Sequence, residues 1–183
     1  TVSILTSESR TESPSTPVMS RFAGKKIHFI GIAGCGMAGL ARMLLDAGAT
    51  VTGSDPTPNE QSLDLVRRGA KVSRTQLGEL LHREVNLVVR TAAVPDSNPE
   101  CLAARKLDFP TIKYAQLLGQ IMQERFAIAV SGTHGKTTTT SLISHALLAC
   151  NADPSFVIGG TVPQLGGSSR SGGGRSFVVE ACE

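Results

Sequence analysis

Residues 127–140 read Ala-Ile-Ala-Val-Ser-Gly-Thr-His-Gly-Lys-Thr-Thr-Thr-Thr, an apolar run that passes through two glycines into a segment with helical spacing. A strand entering such a turn and leaving it as a helix is the local signature of a phosphate cradle. Each residue type has a chemical reason to be there. Gly135 lets the backbone wrap phosphate oxygens, Lys136 carries a point charge to the β- and γ-oxygens, and the Thr137 hydroxyl is a ligand for Mg2+. The general pattern GxxxxGK[ST] puts its first glycine where this chain has Val130, so the loop is a variant whose glycine stands at Gly132. Threonine is a mediocre helix former, and propensity does not explain the run Thr137 to Thr140. Hydroxyls and amides directed at phosphate do. Gly132, Thr133, His134, Gly135, Lys136, Thr137 and Thr138 are therefore the candidate ATP-binding residues, with His134 open to a second reading as a plain turn former.

Upstream, residues 31–39 read Gly-Ile-Ala-Gly-Cys-Gly-Met-Ala-Gly, directly after the apolar run Ile27-His28-Phe29-Ile30. Gly34, Gly36 and Gly39 make the pattern GxGxxG between a strand and a helix, where backbone amides and a helix N-terminus can face a diphosphate. Gly34, Cys35, Gly36 and Met37 are the candidate contacts, with Cys35 read as a small space-filler rather than a nucleophile. Asp55 follows Gly34 by 21 residues (55 − 34), at the end of the next strand. It has two readings, as an acceptor from a sugar hydroxyl or as a turn former before Pro56. The pattern alone does not separate NAD from a UDP-sugar. His28, inside a strand, reads as a packed core residue.

Between and around these turns, strands and helices alternate, which implies parallel sheets with helical crossovers, an α/β architecture. Helices are expected over Met37–Ala47, Gln61–Arg68, Glu100–Leu107, Tyr114–Gln123 and Thr137–Ala149. Strands are expected at Thr50–Thr52, Leu87–Val89, Phe126–Val130, Phe156–Ile158 and Phe177–Val179. Gly166–Gly174 reads as a Gly/Ser-rich loop. Residues 1–22, rich in Ser, Thr, Glu and Pro, read as a disordered tail. A break near Glu124 and Arg125, where the strand–glycine–helix pattern restarts, gives two further units, 23–124 and 125–183.

Composition excludes several classes. A formal charge of +3 with scattered basic residues, one Tyr and no Trp does not suggest a nucleic-acid surface. The apolar runs fall short of a membrane span, and residues 1–20 lack the apolar core of a secretory signal. Cys35, Cys101, Cys150 and Cys182 form no CxxC pair, so reduced thiols in a cytoplasmic protein are the simplest account. The chain starts with Thr and stops at Glu183 just after an apolar strand, which reads as a piece of a longer protein.

The stretch Gly132-Thr133-His134-Gly135-Lys136-Thr137-Thr138-Thr139, together with residues 28–41, closely resembles the Mur ligase family. Gly53-Ser54-Asp55, Thr91-Ala92-Ala93-Val94, Asn98-Pro99-Glu100 and Gly159-Gly160 fit as well, and the resemblance covers Lys25 to Glu183. It implies a Rossmann-like domain for a UDP-sugar, followed by the start of a P-loop-type ATPase domain. It also implies an ATP-dependent, amide-forming ligase of peptidoglycan synthesis that activates a carboxylate as an acyl phosphate. The implied substrates are UDP-N-acetylmuramate and L-alanine, with a recycled tripeptide as the alternative to L-alanine and ATP and Mg2+ as cofactors. Lys136 and Thr137 take the phosphate and metal roles, Glu180 that of a second metal ligand, and Thr91 that of a UDP-sugar contact. Glu180 also has the reading of a solvated strand end. Lys113 and Tyr114 could reach the diphosphate or lie on the surface. Cys182 stands where the family often has Asp. Further ligands are expected beyond Glu183, so the chain alone is not expected to ligate. The competing readings are an NAD-dependent oxidoreductase built on the first glycine turn and a non-catalytic nucleotide-binding remnant.

Overall fold

The computed structural model describes residues 2–5 and 20–181. They fall into two compact units, Met19–Leu118 and Gly119–Glu183, the latter joined by the N-terminal segment. The division falls within the helix Tyr114–Met122.

The first unit is built on the strands β2 (Lys26–Ile30), β3 (Thr50–Ser54), β4 (Lys71–Ser73), β5 (Leu87–Arg90) and β6 (Thr111–Lys113). They lie in the order β4-β3-β2-β5-β6, and every pairing is parallel. The chain runs outward from β2 in one direction, returns, and runs outward in the other. The reversal between β2 and β5 opens a crevice at their carboxyl ends, where ligands bind such sheets. Helix α1 (Cys35–Asp46) crosses from β2 to β3, α2 (Glu60–Arg67) from β3 to β4, and α3 (Pro99–Lys106) from β5 to β6; α4 (Tyr114–Met122) follows β6. Helix α1 buries Met37, Leu40, Ala41 and Leu44 at helical spacing, which is why the segment is a helix and which face it turns inward. Helix α2 starts at Asn59, whose side chain accepts the Ser62 amide while the Ser62 hydroxyl accepts the Asn59 amide, a reciprocal cap. Ile30, Val88, Val94, Cys101 and Ala104 form one core cluster. Full burial of such apolar side chains contributes about 1.5–3 kcal/mol for each large one.

The second unit carries β7 (Phe126–Val130), α5 (Lys136–Ala149), β8 (Ser155–Val162), β9 (Gly167–Arg170) and β10 (Ser176–Glu180). With β1 (Val2–Leu5) at one edge, its sheet order is β1-β7-β10-β8-β9, with β7, β10 and β8 parallel and the edges antiparallel. Strand β10, last in sequence, slots between β7 and β8, with Glu180 opposite Val130. Phe156, Ile158 and Val178 are buried beneath Ile143 and Leu147 of α5.

Several expectations change. Strand β1 (Val2–Leu5) pairs with β7 inside the segment read as a disordered tail, and Ser20–Phe22 form a 3-10 turn. Residues 6–19 of that tail lie outside the described residues, as do Cys182 and Glu183. Strand β9 occupies part of the Gly/Ser-rich stretch, because an edge strand can form on backbone hydrogen bonds without large apolar side chains. The short strands β4 and β6 were missed for a related reason, since three residues hold too little periodicity to read.

Candidate functional site

In the second unit, β7 delivers the chain to Ser131, and the loop turns through Gly132 and Gly135 before α5 begins at Lys136. Gly135 caps the helix at φ 76°, a left-handed conformation that a side chain would strain. Lys136 folds back so that its Nζ donates to the Gly132 carbonyl at 2.6 Å. The ammonium thus stays over the cradle. Thr133, His134, Thr137 and Thr138 are open to solvent. Further along, Thr140 and Ser144 turn their hydroxyls onto the carbonyls of Lys136 and Thr140, so those two serve the helix itself.

The insertion of β10 beside β7 brings Glu180 to this loop. The Thr137 hydroxyl donates to both Glu180 carboxylate oxygens, at 3.0 and 3.1 Å. The Gly159 amide, at the far side on β8, donates to Oε2 at 2.6 Å. Glu180 is buried at 7% exposure, which excludes the reading of a solvated strand end. Among the described residues no three His, Cys, Asp or Glu side chains cluster as a metal cage. One carboxylate beside one hydroxyl fits Mg2+, which keeps several waters and takes its remaining ligands from phosphates.

In the first unit the glycine turn sits at the carboxyl edge of β2. Gly31, at φ 85°, makes the sharp bend; a Cβ there would also lie 2.6 Å from Thr91 Cγ2. The bend-forming glycine therefore lies outside the GxGxxG count. Thr91, at the end of neighbouring β5, packs against it across the strand-order reversal. The Gly31 and Ile32 amides donate to the Ser54 carbonyl at 2.8 and 3.1 Å. Asp55 Oδ2 accepts the Ala33 amide and Oδ1 the Thr57 amide, both at 2.9 Å, while Asn59 Nδ2 donates to the Ala33 carbonyl. Asp55 thus braces the turn, in keeping with its reading as a turn former. Gly34 caps α1, so the first-turn amides from Cys35 onward face the sheet's carboxyl edge. Cys35 is half-buried, its Sγ accepting from Gln61 Nε2 at 3.4 Å. Met37 is 3% exposed, so its side chain belongs to the core and only its backbone is left for a ligand. A Cβ on Gly36 would lie 2.6 Å from the Tyr114 hydroxyl, which places that phenol over the turn. Lys113 is exposed.

Sequence reasoning missed a buried polar network beneath this turn. His28 Nδ1 pairs with Thr52 Oγ1 at 2.8 Å and Nε2 with Glu100 Oε1 at 3.1 Å, and the Ser54 hydroxyl donates to Glu100 Oε2. His28, Ser54 and Glu100 are at most 1% exposed. His28 is a core residue as expected, but a fully hydrogen-bonded one. Glu100 looks like an ordinary acidic first-turn residue of α3. Its spacing of four from the buried Ala104 was the available sign that it faces inward.

The family description "Mur ligase family, catalytic domain" matches residues 26–126, more than half of the 183 residues. The chain belongs to the Mur ligase family. Among similar members, the UDP-N-acetylmuramate--L-alanine ligase of Clostridium novyi is 47% identical over 160 residues, 87% of this chain and 35% of that protein. The ligase of the same name from Blochmanniella floridana is 39% identical over 167 residues. The crystal structure of UDP-N-acetylmuramate-alanine ligase MurC from Thermotoga maritima matches with a TM-score of 0.79 at 30% identity, covering 85% of this chain and 37% of that one. The UDP-N-acetylmuramate:L-alanyl-gamma-D-glutamyl-meso-diaminopimelate ligase of Neisseria meningitides matches with 0.80 at 30% identity, covering 87% and 53%. This Mur ligase chain thus spans about a third of the length of the curated relatives it matches. Membership removes the basis for the oxidoreductase reading. No helix among the described residues is long and apolar enough to cross a membrane.

Proposed function

We propose that this chain is the nucleotide-handling portion of a ligase that joins L-alanine to UDP-N-acetylmuramate at the expense of ATP. The observation that carries the proposal is the contact of Thr137 with Glu180, 43 positions apart in sequence, at the mouth of the Lys136 loop. A phosphate cradle and a buried carboxylate at that distance suit a triphosphate and its metal ion. Magnesium, when bound, would neutralise charge on the β- and γ-oxygens. Lys136 would exchange its Gly132 carbonyl for a phosphate oxygen, the loop amides would hold further oxygens, and Thr137 and Glu180 would hold the metal. In the first unit, the α1 N-terminus, Thr91 and Tyr114 surround the position proposed for the UDP-sugar diphosphate, with Asp55 and Asn59 holding the turn in shape. The two units are proposed as the UDP-sugar and ATP domains respectively, in a cytoplasmic setting. L-alanine as the incoming amine rests on the relatives at 45–47% identity. The match to the Neisseria tripeptide ligase keeps that peptide as the alternative, because the portion compared is the one the two activities share.

Calorimetric titration tests this directly. UDP-N-acetylmuramate should bind saturably and equally well to wild type and Lys136→Ala, whereas Mg·ATP should bind wild type and lose at least about tenfold in the variant, roughly 1.4 kcal/mol. Binding of NAD without UDP-N-acetylmuramate would overturn the proposal.

A further inference from the structure

We infer that Gly159 is a positioning residue, which aims the Glu180 carboxylate at the metal position by donating its amide and by lacking a side chain. The inference rests on the proposed ATP and metal site and extends it to a third strand. Three observations converge. The Gly159 amide donates to Glu180 Oε2 at 2.6 Å. A Cβ at Gly159 would lie 2.9 Å from Oε2, 3.0 Å from Cδ and 3.0 Å from Oε1, so it would intrude on the whole carboxylate rather than on one oxygen. The 2.9 Å approach to Oε2 is closer than real Cβ atoms come, so the carboxylate, at the free end of its side chain, would have to shift. Finally, Glu180 is buried and its two oxygens already accept from the Thr137 hydroxyl, so moving the carboxylate would disturb that contact as well.

A glycine inside a strand weakens it and needs a reason, commonly the close approach of another group. Here the group is the carboxylate. A backbone amide cannot rotate away, so it fixes Oε2 while the Thr137 hydroxyl donates to both oxygens. The neighbouring Gly160 provides a built-in contrast. Its Cβ would meet only Thr137 Cγ2, at 3.7 Å, an ordinary contact. Of two adjacent glycines, one is required by the carboxylate and the other is not.

The test measures ATP affinity of the chain with Mg2+ and with EDTA, the ratio giving the metal-dependent part. Gly159→Ala should lose about tenfold in that ratio, with metal-free ATP binding and UDP-N-acetylmuramate binding changed less than about twofold. Gly160→Ala should match wild type. Glu180→Gln should also lose the ratio. A second-site variant separates aim from general damage. Glu180→Asp in the Gly159→Ala background withdraws the carboxylate by one carbon, about 1.5 Å, and should restore part of the ratio, which an unfolded or loosened strand could not do. Loss in Glu180→Gln with a normal ratio in Gly159→Ala would overturn the inference and leave the metal site standing. A normal ratio in Glu180→Gln, or no metal-dependent binding in wild type, would overturn the metal reading and the inference with it.

Discussion

Replacing Glu100 by Ala removes the buried carboxylate under the first glycine turn, and the cost follows from its partners. His28 Nε2 and the Ser54 hydroxyl would both lose their acceptor in a place water does not reach, since both residues are fully buried. An orphaned buried polar group costs about 1–3 kcal/mol. Two of them, with the void left by the side chain, come to about 3–5 kcal/mol, the range found when one partner of a buried charged pair is removed. That is a large share of a domain's net stability of about 5–15 kcal/mol. Urea unfolding followed by far-ultraviolet circular dichroism reads it, since the chain has no Trp and one Tyr to report by fluorescence. Glu100→Gln, which keeps an acceptor and the volume, should cost about half as much or less. The double replacement His28→Leu with Glu100→Leu should cost less than the two single changes added, because it removes the orphaned partner as well. A cost below about 1 kcal/mol for Glu100→Ala would refute the network as a structural element.

Gly36→Ala should push Tyr114 off the turn and weaken UDP-N-acetylmuramate binding about tenfold, roughly 1.4 kcal/mol, without changing Mg·ATP binding; titration of both ligands checks it. The Arg170 hydrogen bond, helped by the Gly173 amide, holds the Asp153 carboxyl below the ordinary carboxylate range. A depressed native pKa means stability present at neutral pH and lost as pH falls through that depressed value. Asp153→Asn should therefore cost a few tenths of a kcal/mol at pH 7, as for an exposed pair, with the difference from wild type vanishing in acid; unfolding at a series of pH values measures it. Burial raises the Cys101 thiol, so alkylation mapped by mass spectrometry at neutral pH should mark exposed Cys150 first and Cys101 only on unfolding.

Much of the local chemistry was legible before any coordinates. Gly132 to Thr138 and Gly34 to Met37 stand out because a glycine-rich turn between a strand and a helix shows as a short, fixed spacing, and short-range spacing is what a sequence displays. The α/β class was legible for the same reason, since the strand and helix periods are local. What the sequence did not carry was strand order. Only the folded sheet puts β10 between β7 and β8, and that places Glu180 against both Thr137 and Gly159. It likewise assigns Asp55 and Asn59 to holding Ala33, turns Met37 inward, and buries Glu100 beneath Ser54. These outcomes depend on which strands become neighbours, a choice settled by burial of apolar faces summed over each whole unit. Pattern marks the two glycine-rich turns; tertiary packing decides which side chains lie against them.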